Sequence, residues 1–145
     1  MDAVFCSPQG RALATAQVCG ERLGLPVVAV DELAEVHHGA MAGMTLDEME
    51  RAFPGELARR GQDTYRWRFP GGESYEDAVP RAARALERVA ASGARRPLLV
   101  SHEMIGRLLQ LHLRRVDVAT ALAGGHPQGV VYRVEAGETT TLGAA

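Results

Sequence analysis

Short apolar runs alternate with helical periodicity along most of this 145-residue chain, and the alternation predicts an α/β fold with a largely parallel sheet. Three runs, 2–6, 25–30 and 97–101, are apolar and rich in Val and Leu, which is typical of buried parallel strands. We expect 25–30 to lie beside 2–6 in the sheet, and the whole chain, 1–145, to form a single domain.

Helix signals follow the first and third runs. Ser7 has the position of an N-cap and Pro8 that of a first helical residue, which predicts a helix over 8–23. A strongly apolar helix is expected over 104–113, and His102 lies between it and the strand before it.

Two further patterns complete the predicted elements. Ser74 and Asp77 have the spacing of a capping box, and small apolar residues repeat after them, which predicts a helix with a kink at Pro80. Segments 129–135 and 139–142 flank an Ala-Gly turn and predict two strands joined by that turn.

The alternation breaks over 31–73, a segment rich in charge, Met, Gly and aromatic residues. Short helical patterns occur within it at 45–52 and 54–60. Long excursions of this kind commonly form the lid or wall of a site, so we expect this segment to be a lid-like excursion over the sheet.

Composition argues against several classes of protein. The 16 basic residues, all Arg, are balanced by 18 acidic ones, so the basic excess of a nucleic-acid binder is missing. No apolar stretch approaches the ~20 residues that span a bilayer, and no signal-peptide pattern starts the chain, so we expect a cytoplasmic protein without membrane contact. Cys6 and Cys19 are interpreted as buried, reduced thiols. The five histidines lack metal-ligand spacing, so neither metal nor cofactor is expected.

Polar side chains follow two predicted strands at their carboxyl ends, where ligands bind in open α/β sheets. Arg11 lies in the first turns of the helix after 2–6, and His102 lies at the exit of 97–101. A guanidinium near a helix N-terminus and an imidazole both suit a phosphate group. Taken alone, each residue is as well explained by a solvated helix start or a capping position.

Sequence blocks resemble the histidine phosphatases, the phosphoglycerate-mutase-like superfamily. Residues 7–16 resemble its S-x-x-x-R-A-x-x-T-A signature, and 33–39 resemble its L-x-E-x-x-x-G. Residues 69–75 resemble its P-x-G-E-S-Y, and 98–102 its strand ending in S-H. The four blocks stand in the family's order. The resemblance implies a three-layer α/β/α sandwich and phosphomonoester hydrolysis through a phosphohistidine.

The resemblance also implies three catalytic roles. Arg11 matches an arginine that clamps the phosphoryl group, and His102 matches a histidine that lies against that group and stabilises it. Glu35 matches the acid that protonates the leaving alkoxide. These roles agree with the chemistry, because a transferring phosphoryl group spreads negative charge over its oxygens and a leaving alkoxide needs a proton.

The family's nucleophile, a histidine in an R-H-G motif on a strand before 7–16, has no counterpart in these residues. His37-His38-Gly39 is interpreted as part of a loop. The resemblance places the lost strand inside the sheet, so we expect bare strand edges and a homo-oligomer or a strand-donating partner. Two alternatives stay open: a catalytically incompetent module that binds phosphate ligands or a protein, and a phosphoglycerate-mutase-type phosphotransferase.

The middle of the chain is most similar to the fructose-2,6-bisphosphatase type. That similarity implies that a small sugar-phosphate-like metabolite is bound by Arg60, Arg68, Tyr75, Glu103 and Arg107. The arginines at 60, 66 and 68 are explained equally well by a solvated basic face. Three positions depart from the pattern, since Leu46, Thr64 and Glu103 replace a tyrosine, a lysine and a glutamine. A smaller or less charged phosphomonoester is therefore at least as well supported as fructose 2,6-bisphosphate.

Overall fold

The computed structural model describes residues 1–126 and 129–143. Three strands form a parallel sheet in the order β2-β1-β3: β1 (Ala3–Cys6), β2 (Val27–Ala29) and β3 (Pro97–Val100). The pairing sets Cys6 beside both Ala29 and Val100, so the carboxyl ends of all three strands lie at one edge. The α/β fold with a parallel sheet is therefore confirmed.

The central strand, β1, is buried on both faces. Val4 and Cys6 are fully buried and pack with Ala16 of α1 (Gly10–Leu23). Phe5, which alternates to the opposite face, is only 4% exposed. Both faces of the sheet are thus covered, as in layered α/β folds.

Two predictions about these first elements are wrong. Helix α1 begins at Gly10 with Gln9 as its N-cap, and not at Pro8. Ser7 instead continues β1, because its N–H donates to the carbonyl of Val100 at 3.0 Å. The strand β2 is not buried: it lies at the sheet edge, and Val28 is 43% exposed.

The chain divides into two compact units, and the single domain over 1–145 stays a prediction. The sheet unit comprises residues 1–35 together with those from 80 onward, and the insert unit comprises 36–79. The insert unit contains α2 (Leu46–Ala52) and α3 (Glu56–Gln62), close to the predicted helical patterns. The role of this segment as a lid stays a prediction.

Helix α4 (Tyr75–Ala91) starts with the predicted capping box. The Asp77 carboxylate accepts bonds from Ser74 N and Oγ at 2.8 and 2.7 Å, and Asp77 N donates back to Ser74 Oγ at 3.1 Å. These bonds, led by the one from the Ser74 backbone, hold the pKa of Asp77 below its usual range. Helix α4 continues through Pro80. Because proline has no N–H, the carbonyl of Glu76 lacks its helical hydrogen-bond donor, and Glu76 is exposed.

The remaining elements are α5 (Glu103–Arg114), α6 (Val118–Ala123) and an antiparallel hairpin of β4 (Val130–Glu135) and β5 (Glu138–Gly143). The predicted hairpin turn is confirmed: Ala136 and Gly137 have φ of 51° and 85°, the positive pair that a type I′ turn requires. No helix within the described residues is long and apolar enough to cross a membrane.

Both outer strands of the parallel sheet, β2 and β3, lack a neighbour on their outer side among the described residues, and β3 is the more apolar of the two edges. In the part of the chain that the structure describes, β3 pairs only with β1, and β4 and β5 pair only with each other. All four residues of β3 are half-buried, although the strand is entirely apolar. Such a strand is normally buried between neighbours in a parallel sheet, so its free edge is a template for a further strand.

The packing of α1 on β2 predicts a strong effect at Gly20. A Cβ there would lie 2.4 Å from Val27 Cγ2 and 3.0 Å from the Leu25 carbonyl oxygen, so we expect Gly20→Ala to lower the free energy of unfolding by about 2 kcal/mol. Gly10→Ala in the same helix is the matched control, because nothing lies within 4 Å of a Cβ at that position. Urea unfolding of both variants measures the difference, and equal stabilities would contradict this packing.

Candidate active site

The candidate site centres on His102, which follows β3 and is the N-cap residue of α5. The side chain is nearly enclosed, with the residue only 7% exposed. Its Nε2 lies 2.9 Å from the Oγ of Ser7, which is fully buried at the end of β1. The alignment of Cys6 with Val100 therefore brings together two polar groups that are 95 residues apart in the sequence.

Burial lowers the pKa of His102, the carboxylate of Glu35 opposes this shift, and the guanidinium of Arg11 reinforces it. The imidazole is therefore neutral at neutral pH. Arg11 and Glu35 are thus both within electrostatic range of His102. The Nδ1 of His102 is buried and finds no hydrogen-bond partner in residues 1–126 and 129–143.

Arg11 lies in the first turn of α1, where the helix dipole and free backbone N–H groups favour an anion. The residue is exposed. Its guanidinium forms no ion pair with any described residue. The guanidinium of Arg11, which contributes to the lowered pKa of His102, is therefore available to bind an anionic ligand.

The carboxylate of Glu35 is held at the N-terminus of α5. It accepts hydrogen bonds from Met104 N at 3.3 Å and Ile105 N at 3.0 Å. Two N–H donors at the positive end of a helix stabilise the ionised form of a carboxyl group. In this arrangement Glu35 is an acceptor of hydrogen bonds.

The segment that carries Glu35 is fixed by three side chains that sequence reasoning did not single out as functional. Ser101 Oγ donates to the carbonyl of Leu33 at 2.7 Å, and the Glu35 N–H donates to Gln9 Oε1 at 3.1 Å. Arg81 of α4, interpreted from the sequence as part of a polar helix face, donates to the carbonyls of residues 32, 34 and 35 at 3.0, 2.7 and 3.4 Å. No local pattern signals these contacts.

Two of the predicted substrate contacts pair with each other. Arg107 Nη2 lies 2.6 Å from Glu103 Oε1, one helical turn away on α5. Glu103, which replaces a neutral glutamine of the family pattern, therefore supplies a counter-charge to Arg107. This pairing reduces the attraction that Arg107 can exert on an anionic ligand.

The other three predicted substrate contacts belong to the insert unit. Arg60 lies 5.9 Å above the centre of the Phe69 ring, and Arg68 lies 2.5 Å from the carboxylate of Asp77. Tyr75 is only 1% exposed and is a core residue at the start of α4, and its contact with substrate stays a prediction. For Arg60 and Arg68 the substrate role stays a prediction.

The block at 69–75 has a structural function in the insert unit. A Cβ on Gly72 would lie 2.1 Å from the carbonyl oxygen of His37, so only glycine fits there. Glu73 Oε2 accepts the N–H of His37 at 2.8 Å, and the Glu73 N–H donates to the carbonyl of the same residue. His37 lies in a loop, as predicted, and His38 stacks on Phe69 with ring centres 4.3 Å apart.

Neither cysteine forms a disulfide. Cys6 is buried as predicted, where burial raises the pKa of its thiol, and Cys19 is half-buried. Within the described ranges, no three His, Cys, Asp or Glu side chains are grouped as ligands for a metal ion.

Curated relatives include the chicken 6-phosphofructo-2-kinase/fructose-2,6-bisphosphatase, which is 38% identical over 108 residues, 73% of this chain and 21% of that protein. The bifunctional protein Rv2228c of Mycobacterium tuberculosis is 33% identical over 132 residues, 91% of this chain and 34% of that protein. The chain thus spans about a fifth to a third of the length of these two relatives.

Solved structures show the same fold. The alpha-ribazole phosphatase of Shigella flexneri matches with a TM-score of 0.81 at 21% identity, over 98% of this chain and 72% of that one. A mycobacterial glucosyl-3-phosphoglycerate phosphatase, solved with inorganic phosphate, matches with a TM-score of 0.72 at 29% identity, over 90% of this chain and 69% of that one. The family model of the histidine phosphatase superfamily, branch 1, matches residues 1–142. On these findings, the chain belongs to the histidine phosphatase superfamily.

Proposed function

We propose that this chain provides the phosphoryl-binding part of a cytoplasmic phosphatase that hydrolyses a small phosphomonoester. The observation that carries the proposal is the near-complete burial of His102 at the N-terminus of α5, within electrostatic reach of Arg11 and Glu35. Support comes also from two relatives, the chicken protein and the mycobacterial one solved with phosphate, which are named as phosphatases of different small molecules.

In the proposed reaction, Arg11 binds the phosphoryl oxygens and balances their charge. His102 contributes a neutral imidazole, which donates a hydrogen bond without needing a counter-ion. The imidazole is held in place by Ser7 before the substrate arrives, and preorganised donors are a main source of rate in phosphoryl transfer.

Glu35 has the proposed role of acid toward the leaving alkoxide. Its carboxylate starts as an acceptor of two backbone hydrogen bonds, so it must first take up a proton. In the proposed step this proton comes from solvent water. Proton transfer to the alkoxide then restores the carboxylate and its bonds to α5.

Hydrolysis through a phosphohistidine also needs the nucleophile, and no Arg-His-Gly string occurs in residues 1–145. We propose that a strand with this motif, supplied from outside these residues, pairs in parallel with the free edge of β3. The half-buried apolar side chains of β3 support this placement.

The missing motif favours a second candidate function. Without a nucleophilic histidine, the same site would bind phosphate compounds reversibly and release them unchanged. Both functions require anion binding, but only the phosphatase turns over its substrate. Anion binding and turnover are therefore tested in separate experiments.

Anion binding tests the site itself. We expect inorganic phosphate to bind saturably, and Arg11→Gln to weaken binding about tenfold, because a charge-assisted hydrogen bond contributes roughly 1.5–3 kcal/mol. Arg22→Gln is the matched control, since it removes the same charge from the last turn of the same helix. Isothermal titration calorimetry measures all three proteins. Equal affinities in the two variants would exclude Arg11 from the site.

Turnover tests the supplied strand. An apolar strand ending in Arg-His-Gly, fused before Met1 through a flexible linker, is expected to make the chain hydrolyse p-nitrophenyl phosphate. The same fusion with Arg-Gln-Gly should gain the stability of an added strand and no activity. If both fusions stabilise the chain and neither hydrolyses the substrate, the proposed pairing of a strand with β3 stands and the phosphate-binding function is favoured over the phosphatase.

A further inference from the structure

The hydrogen bonds around Ser7 determine which nitrogen of His102 carries the proton. Ser7 Oγ accepts the N–H of Gln9 at 3.1 Å and lies 2.9 Å from His102 Nε2. A hydroxyl group has one proton to donate and two lone pairs that accept. Since Ser7 is fully buried, water cannot take its proton.

The two neutral forms of the imidazole leave different numbers of buried groups without a partner. If Nε2 carries the proton, it donates to Ser7 Oγ, and both the Ser7 hydroxyl proton and the Nδ1 lone pair are left unsatisfied. If Nδ1 carries the proton, the Ser7 hydroxyl donates to Nε2, and only the Nδ1–H lacks a partner among the described residues. Each buried polar group without a partner costs roughly 1–3 kcal/mol, so the second form is favoured.

We propose that Ser7 is a positioning residue that holds His102 in the form with the proton on Nδ1 and with Nε2 as an acceptor. His102 is then a hydrogen-bond donor at Nδ1 and has no free basic nitrogen. Ser7 acts through His102 and does not react itself, because its hydroxyl is enclosed on all sides.

The charges near His102 are consistent with a neutral ring that carries its single proton on Nδ1. Arg11 disfavours a second proton on the ring, and Glu35, which favours one, has its carboxylate bonded to α5. The consequence for catalysis rests on the proposed function: the bond from Ser7 to Nε2 fixes the orientation of the ring at the N-terminus of α5, beside the proposed phosphoryl site.

Nitrogen NMR of the ligand-free chain, labelled with ¹⁵N-histidine, tests the assignment without any assumption about activity. A His102→Gln sample identifies the His102 signals. We expect Nδ1 in the protonated range and Nε2 in the unprotonated range at neutral pH. Ser7→Ala should abolish this single form and give an averaged pair of shifts, because Nε2 loses its donor.

Ser92→Ala is the matched control, since it removes a serine hydroxyl that bonds only to the carbonyl of Val89 and the N–H of Ala94 in the described structure. It should leave the His102 shifts unchanged. Ser7→Ala should also weaken phosphate binding about fivefold to tenfold, the effect of one lost orienting hydrogen bond.

Two results would overturn the proposal: a proton on Nε2 in the unaltered chain, or the same His102 shifts in Ser7→Ala as in the unaltered chain. A wild-type spectrum with the expected form but no phosphate binding would instead sustain the role of Ser7 and refute the proposed function. Circular dichroism tests whether Ser7→Ala is folded. If the variant does not fold, the nitrogen NMR spectrum of the unaltered chain alone decides which nitrogen of His102 carries the proton.

Discussion

The parallel pairing of β1 with β3 is the constraint on which the candidate site depends. Cys6 lies opposite Val100, and the Ser7 N–H extends the ladder by bonding to the carbonyl of Val100. Strands β1 and β3 therefore end at the same edge of the sheet, and Ser7 follows β1 while His102 follows β3. Because β1 is buried on both faces, a shift of register would move apolar side chains out of the core and is strongly disfavoured.

The N-terminus of α5 connects the sheet to the charges around it. His102 occupies the N-cap position, and the carboxylate of Glu35 binds the first N–H groups of the helix. A built-in anion thus satisfies donors that an empty helix end would expose.

Local patterns in the sequence were sufficient for the elements and insufficient for their contacts. Alternating apolar runs predicted the parallel sheet, and the spacing of Ser74 and Asp77 predicted the start of α4, since both depend on nearby residues. Ser7 was misassigned as a helix cap because its hydroxyl bonds to a residue 95 positions away. The contacts of Arg81 with the segment before Glu35, 46 to 49 positions away, were hidden for the same reason.

The balance of charge in each unit bears on the class of substrate. In the sheet unit, Glu103 pairs with Arg107, and in the insert unit, Asp77 pairs with Arg68. A second phosphate group bound to Arg68 or Arg107 would meet the carboxylate that already pairs with that arginine, which reduces the attraction for the added charge. Arg11 faces no such competition from a described side chain, so a single phosphoryl group is bound without breaking an existing pair. We propose accordingly that the substrate is a monophosphate, because the carboxylate at position 103 pairs with Arg107 and opposes a second phosphate there.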